Sequence, residues 1–165
     1  MSEVTSMTNV GGLITKNVDA RIPVLDRGFL YGDSVYEVFR TYDGVPLFYT
    51  EHWQRLQTSA ALIRMQVTLT LDALTAELRR TIAATGAPAS RRDVYTRYVI
   101  TRGEGAMDLY PDPSLAQRFV LIVREVPRWN PVFYSRGVTA GVAATRRNPR
   151  SALHPNIKSG NYLNK

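Results

Sequence analysis

The chain has 165 residues, of which 44% are hydrophobic and 21% are charged, as is typical of a folded globular protein. It contains no cysteine, which excludes disulfide bonds, thiolate metal sites and a cysteine nucleophile. Its two histidines are too few for a histidine-rich metal site, and no apolar run approaches the roughly 20 residues that a membrane helix needs. The first residues do not have the pattern of a secretory signal, so we expect a cytoplasmic protein.

The formal net charge of +7 makes a nucleic-acid partner worth considering. The arginines are scattered, however, and the one dense group is TRRNPR at 145–150. Helix-turn-helix, zinc-finger and RNA-recognition signatures are absent from the sequence. The simplest explanation of the positive charge is therefore a solvated basic surface. A site for a small anion is the next explanation, and a nucleic-acid site is the third. We expect neither a nucleic-acid nor a membrane partner.

The first elements in chain order are predicted to be extended. GGLIT at 11–15 and ARIPVLD at 20–26 are short extended segments, and SVYEVFRTY at 34–42 is a β-branched and aromatic strand with alternating faces. Asp43-Gly44 then provides a tight turn and VPLFY returns, which predicts a hairpin. Pro46 places the returning strand at a sheet edge.

Two helices and two strong strands follow. Thr50 is predicted to cap a helix over EHWQRLQTSAALIRM, and a second helix over about 71–85 ends at Gly86. DVYTRYVITRG and RFVLIVREV are predicted strands, joined by a loop over 104–117 that is rich in Gly, Pro and Asp. GVTAGVAATRR at 137–147 is predicted to be one more extended segment.

This order predicts an α+β fold rather than alternating βαβ units. We expect a small N-terminal two-layer α/β domain over 1–126, made of a sheet with two helices, and a linker over 127–136 around PRWNP. Residues 137–165 are predicted to begin a second, larger β-rich domain, because the ~40 residues that follow residue 126 are too few for a core of their own. We expect that domain to continue beyond Lys165.

The candidate functional residues are weak signals when each is taken singly. Lys158 precedes the small Ser159-Gly160 pair, which leaves room for a ring, and a lysine can form a Schiff base when its amine loses a proton. The alternative is an exposed loop lysine. Arg55 lies near the start of a predicted helix, where it could bind phosphate or simply pair with Glu51.

Tyrosines near a second arginine, Arg97, are further candidate site residues. Tyr95 and Arg97 share one strand face and could clamp a carboxylate, although an exposed cross-strand arginine is the alternative. Tyr31 and Tyr36 flank the Gly32-Asp33 turn, where core packing would also explain them.

Several motifs in order make a stronger signal than any one of them. The segments DRGFLYGDSVYEVFRTYDGVPLFYTEHWQRL, YTRYVITRG and HPNIKSGNYLNK, together spanning nearly the whole chain from about Leu13 to Lys165, closely resemble class IV aminotransferases. These are the fold-type IV pyridoxal-phosphate enzymes: branched-chain aminotransferases, D-amino-acid aminotransferases and aminodeoxychorismate lyases. The resemblance implies amino-group transfer between a branched-chain amino acid and 2-oxoglutarate, with pyridoxal 5'-phosphate as cofactor.

The resemblance also implies roles for individual residues. Lys158 matches the lysine that holds the cofactor as a Schiff base and shuttles the proton, Arg55 matches the arginine that binds the cofactor phosphate, and Tyr162 matches a partner of the cofactor hydroxyl. The implied substrate-pocket residues are Tyr31, Tyr36, Tyr95, Arg97 and Leu109. Tyr31 and the loop containing Leu109 would reach the partner subunit's pocket, so a homodimer is expected.

The resemblance leaves the subtype open. Met107 and Leu109 stand where well-known D-amino-acid enzymes carry an arginine and a histidine, and YTR agrees with the branched-chain pattern. The spacing of Tyr162 from Lys158 and the hydroxyl of Tyr36 keep a D-amino-acid or amine aminotransferase and an aminodeoxychorismate lyase as alternatives.

The non-enzymatic alternative is a truncated, silent scaffold or a basic binding module. In this family an acidic residue at the pyridine nitrogen and a second phosphate loop would follow Lys165. We therefore expect the 165 residues alone to bind the cofactor weakly or not at all.

Overall fold

The computed structural model describes residues 4–161. Its strands are β1 (Met7–Val10), β2 (Leu13–Lys16), β3 (Ser34–Tyr42), β4 (Val45–Pro46), β5 (Val94–Thr101) and β6 (Arg118–Glu125). Its helices are α1 (Arg27–Tyr31), α2 (Tyr49–Leu62), α3 (Leu71–Ala84), α4 (Ala87–Ser90) and α5 (Val132–Arg136).

All six strands form one antiparallel sheet in the order β2-β1-β6-β5-β3-β4. β3 and β5 pair from Ser34 opposite Thr101 to Arg40 opposite Tyr95, and β6 continues the sheet beside β5. Helices α2 and α3 cover one face of the sheet. The predicted α+β fold, a sheet with two main helices, is confirmed.

The core lies between that sheet face and the two helices. Successive strand residues point to opposite faces, so Val35, Glu37, Phe39 and Thr41 share one face of β3, as the alternation predicts, and the structure buries that face. The buried apolar side chains of the main core are Val35, Phe39, Trp53, Leu56, Ala60, Met65, Leu74, Leu78, Tyr98, Ile100 and Leu121. The other sheet face carries Tyr36 and Arg97 and is free of these helices.

The helix boundaries differ in part from the prediction. Helix α2 begins at Tyr49 after Phe48, which adopts the left-handed conformation with φ 50°, so the predicted Thr50 cap is wrong. The helix also ends at Leu62 rather than Met65. Helix α3 is capped by Thr70, whose hydroxyl accepts the N–H of Ala73, and Gly86 follows it with a φ of 74°, as a terminating glycine should.

Other elements depart from the sequence pattern. Strand β1 and the short helices α1, α4 and α5 were not predicted, and α5 lies inside the predicted linker. The predicted extended segment 137–147 is exposed throughout and forms no strand, because no described strand lies beside it to receive its backbone hydrogen bonds. The domain boundaries at 126 and 136 remain predictions.

None of the helices within residues 4–161 is long and apolar enough to cross a membrane. In the same range, no group of three or more histidine, aspartate or glutamate residues is arranged to hold a metal ion.

Candidate active site

Lys158 is held by its backbone between β3 and α2. Its carbonyl oxygen accepts the N–H of Tyr36 at 3.0 Å, and its own N–H donates to Ser59 Oγ at 3.2 Å. The N–H of Gly160 donates to the carbonyl of Ser34 at 3.0 Å, which completes a short antiparallel bridge to β3. These hydrogen bonds therefore fix the backbone position from which the Lys158 side chain extends.

Tyr36 brings Lys158 and Arg97 together. Lys158 Nζ lies 4.2 Å from the centroid of the Tyr36 ring, and Arg97 Cζ lies 3.9 Å from the same centroid. Both distances are those of favourable cation–π contacts. Three residues that the sequence predicted separately thus form one cluster around the Tyr36 ring.

Arg55 and Lys158 line the same cavity, which has a volume of about 800 Å³. Arg55 and Ser59 lie one helical turn apart on α2, so the turn that presents Arg55 also anchors the Lys158 backbone. The lining residues are Glu51, Gln54, Arg55, Thr58, Ser59, Leu62, Arg150, His154, Asn156 and Lys158. Three cations and one carboxylate make this cavity suitable for a small anion.

The main partner of Arg55 is Glu37, not the Glu51 considered from the sequence. Arg55 Nε and Nη2 each donate to a Glu37 carboxylate oxygen at 2.6 Å, and His52 Nδ1 lies 2.8 Å from Oε2. Glu37 is fully buried, whereas the side chain of Arg55 is 55% exposed. Sequence reasoning missed Glu37, although a carboxylate on the inward face of an apolar strand is an available signal.

The electrostatics of the Glu37–Arg55 pair favour the charged form of each side chain. Burial by itself raises the pKa of Glu37, but hydrogen bonds and charge from Arg55 and His52 outweigh it, so the pKa lies below the ordinary value. The hydrogen bond to Glu37 raises the pKa of Arg55. The pair is therefore a carboxylate and a guanidinium at neutral pH.

Arg27 organises a second group of predicted residues. It lies over the Tyr31 ring at 4.6 Å and donates to the carbonyl oxygens of Asp108 at 2.6 Å and Leu109 at 3.1 Å. Tyr31 and the Leu109 backbone are thereby fixed to one side chain, while the Leu109 side chain is 86% exposed. Sequence reasoning missed Arg27, which is 4% exposed.

The Arg27 group is also tied to the end of α2. Asp33 Oδ2 accepts from Arg27 Nε at 3.2 Å and from Arg102 Nε at 2.7 Å. Arg102 in turn donates to the carbonyls of Ile63 and Arg64.

Tyr95 is not part of either group. Tyr95 shares a sheet face with Arg97, as predicted, and its ring lies under Arg124 with Cζ 4.8 Å from the ring centroid. Tyr162 lies outside the described residues, and its role stays a prediction.

A pyridoxal phosphate molecule fits the donor set of the cavity. Its phosphate is an anion, which Arg55 can bind, and its aldehyde is the group that the Lys158 amine can bind covalently. Within residues 4–161, Arg55 Nη1 forms no hydrogen bond, because Glu37 occupies only the Nε–Nη2 edge. The cavity therefore presents an amine and a guanidinium, the two groups that a small anionic carbonyl compound requires.

Comparisons with known proteins identify the family of the chain. The family described as Amino-transferase class IV matches residues 34–165. A putative branched-chain-amino-acid aminotransferase from Methanocaldococcus jannaschii is 35% identical over 155 residues, which cover 94% of this chain and 51% of that protein. A D-alanine aminotransferase from Listeria innocua is 35% identical over 154 residues, with 92% and 50% covered.

Solved structures show the same fold. The branched-chain amino acid aminotransferase of Escherichia coli superposes with a TM-score of 0.81 at 25% identity, over 97% of this chain and 53% of that one. The 4-amino-4-deoxychorismate lyase of Pseudomonas aeruginosa gives a TM-score of 0.60 at 25% identity, over 79% and 44%.

The chain belongs to the class IV aminotransferase family, as its motifs predicted. It spans about half the length of the curated relatives it matches.

Proposed function

We propose that the protein is a pyridoxal-phosphate-dependent aminotransferase that moves an amino group between a branched-chain amino acid and 2-oxoglutarate. The observation that carries this proposal is the presence of Lys158 and Arg55 in one cavity, with the Lys158 backbone fixed by Tyr36 and Ser59. The relative from Methanocaldococcus jannaschii supports the branched-chain assignment by its name.

Each residue has a distinct task in this proposal. Lys158 would hold the cofactor aldehyde at rest and, once the substrate amine has displaced it and freed its own amine, would take and return the proton at the substrate Cα. Arg55 binds the cofactor phosphate, and Arg97 beside Tyr36 binds the substrate carboxylate. When bound, the cofactor supplies the electron sink that makes the Cα proton acidic.

Replacing Lys158 tests the proposal directly. Lys158→Ala in the full-length protein should remove the absorption band of lysine-bound cofactor and lower the transamination rate by about 10²–10⁴-fold, because both the covalent anchor and the base are lost. Absorption spectra and single-turnover rates measure the two effects. Lys16→Ala, at an exposed position on β2, is the matched control and should leave both unchanged. A band that survives in Lys158→Ala would contradict the assignment.

A D-amino-acid aminotransferase is the second candidate, because a D-alanine aminotransferase is as similar in identity as the branched-chain relative. The lyase is a third possibility on the same fold. Half-reactions with L-leucine, D-alanine and aminodeoxychorismate separate them. Conversion of D-alanine alone would contradict the branched-chain proposal.

The non-enzymatic alternative is a basic binding module, which the net charge of +7 motivates. Salt-dependent DNA binding without uptake of pyridoxal phosphate would favour it. The cytoplasmic location stays a prediction.

We also propose that the active protein is a homodimer. A second cavity of about 690 Å³ lies on the sheet face away from α2 and α3, and it is lined in part by Ile22, Phe29, Val120 and Ile122. Phe29 is 62% exposed on α1, next to the Tyr31 that the proposal assigns to the partner subunit's pocket. An exposed apolar surface of this kind is typical of a subunit interface.

A further inference from the structure

We propose that Glu37 is a positioning residue, which fixes the Arg55 guanidinium in the orientation that binds the cofactor phosphate. The inference rests on the proposed function, because it concerns the same cavity. Its basis is the two-point hydrogen bond from Arg55 to a carboxylate that is itself completely buried on β3.

The geometry explains why a carboxylate is placed there. An arginine that is 55% exposed on a helix would otherwise sample many rotamers and lose that freedom on binding an anion. Two parallel N–H···O bonds to Glu37 fix both the direction and the plane of the guanidinium. They occupy the Nε–Nη2 edge and leave both N–H groups of Nη1 to donate to a phosphate.

The surroundings of Glu37 restrict its side chain in turn. Val35 and Phe39, its neighbours on the inward face of β3, are buried in the core, so the Glu37 side chain has little freedom. His52 Nδ1 lies 2.8 Å from Glu37 Oε2 and 3.3 Å from Arg55 Nη2, so it contacts both members of the pair. Phe39 packs beside His52 with a ring-centroid distance of 6.1 Å.

Positioning and simple charge predict effects of opposite sign. Glu37 is an anion next to a proposed anion site, so through charge alone its removal would tighten phosphate binding. If Glu37 positions Arg55, its removal weakens phosphate binding instead, because the guanidinium loses its fixed orientation. The sign of the change therefore distinguishes the two roles.

The test is the affinity of full-length Glu37→Gln for pyridoxal phosphate and for pyridoxal, which lacks the phosphate. We expect the dissociation constant for pyridoxal phosphate to rise about 10-fold, which is the order of the cost of ordering one long side chain. The dissociation constant for pyridoxal should change less than about twofold, because pyridoxal has no phosphate for Arg55 to bind. Absorbance titration measures both.

Two further variants make the comparison specific. Glu77→Gln removes another carboxylate that accepts from an arginine, Arg80, on helix α3, and should change neither affinity. In the Arg55→Met background, Glu37→Gln should cause no additional loss of pyridoxal phosphate affinity, because its effect acts through Arg55. If Glu37→Gln does not fold, Glu37→Asp, which withdraws the carboxylate from Arg55, should show the same selective loss.

Three results would overturn the inference: tighter or unchanged pyridoxal phosphate binding, an equal loss for pyridoxal, or a full additional loss in the Arg55→Met background. Failure of the proposed function looks different. There, the wild-type protein itself shows no lysine-dependent binding of pyridoxal phosphate.

Discussion

Glu37 is a fully buried carboxylate whose partners decide its charge state. Its folded-state pKa lies below the ordinary value of 4.5, so ionised Glu37 stabilises the folded protein at any pH above that value. The stabilisation is lost as the pH falls through the lowered pKa, because the proton that then binds breaks the pair with Arg55. Burial opposes this effect, and the hydrogen bonds from Arg55 and His52 outweigh it.

We therefore expect Glu37→Gln to lower the free energy of unfolding by about 1.5–3 kcal/mol at pH 7, the range for hydrogen bonds to charged groups. The difference from wild type should shrink below a pH of about 4 and disappear in stronger acid. Urea denaturation at several pH values measures it. Glu104→Gln, which removes a surface pair with Arg118 at 3.6 Å, should cost less than about 1 kcal/mol. A Glu37→Gln deficit that persists unchanged in acid would contradict this account.

At the scale of elements, Arg27 connects three parts of the chain. One guanidinium on α1 binds Asp33, which immediately precedes β3, and two carbonyls in the loop at 104–117. The segment that carries Tyr31 and the loop that carries Leu109 are therefore bound to the same side chain.

Arg27→Met should lower the free energy of unfolding by about 3 kcal/mol, the lower end of the cost of breaking a buried ion pair, since Asp33 keeps Arg102. The loop should also become more accessible to protease, because both of its carbonyl anchors are lost. Chemical denaturation and limited proteolysis measure these effects. Arg21→Met, at an exposed arginine that donates to the nearby carbonyls of Val18 and Ala20, should change stability by less than about 0.5 kcal/mol. Unchanged cleavage of the loop would show that Arg27 does not hold it.

At the scale of the whole molecule, the exposed apolar surface around Phe29 predicts self-association. Phe29→Glu should weaken the proposed dimer about 10-fold or more, because a charge would be buried in an apolar interface. Sedimentation velocity over a range of protein concentrations measures this change. Val45→Glu places the same charge at an exposed position on edge strand β4 and should leave the association unchanged. Equal weakening by both variants would contradict the location of the interface.

Much of the fold follows from local patterns in the sequence. The alternation in SVYEVFRTY predicts β3 and the division of its residues between two faces, Asp43-Gly44 predicts the turn, and Gly86 predicts the end of α3. These features depend on backbone preferences and on side chains within a few residues, so the sequence alone determines them. The motifs likewise identify the family and the candidate residues Lys158 and Arg55.

The contacts of the site depend on distant parts of the chain, and only the tertiary structure decides them. The acid nearest to Arg55 along its helix is Glu51, yet folding pairs it with Glu37, 18 residues away on β3. The backbone of Lys158 donates to Ser59, which lies 99 residues earlier in the chain. Arg27 donates to the carbonyl of Leu109, which lies 82 residues later. Segment 137–147 has a strand-like sequence but forms no strand, since a strand needs a neighbour for its backbone hydrogen bonds. Buried charges and strands require partners, and the fold determines which partners come within reach.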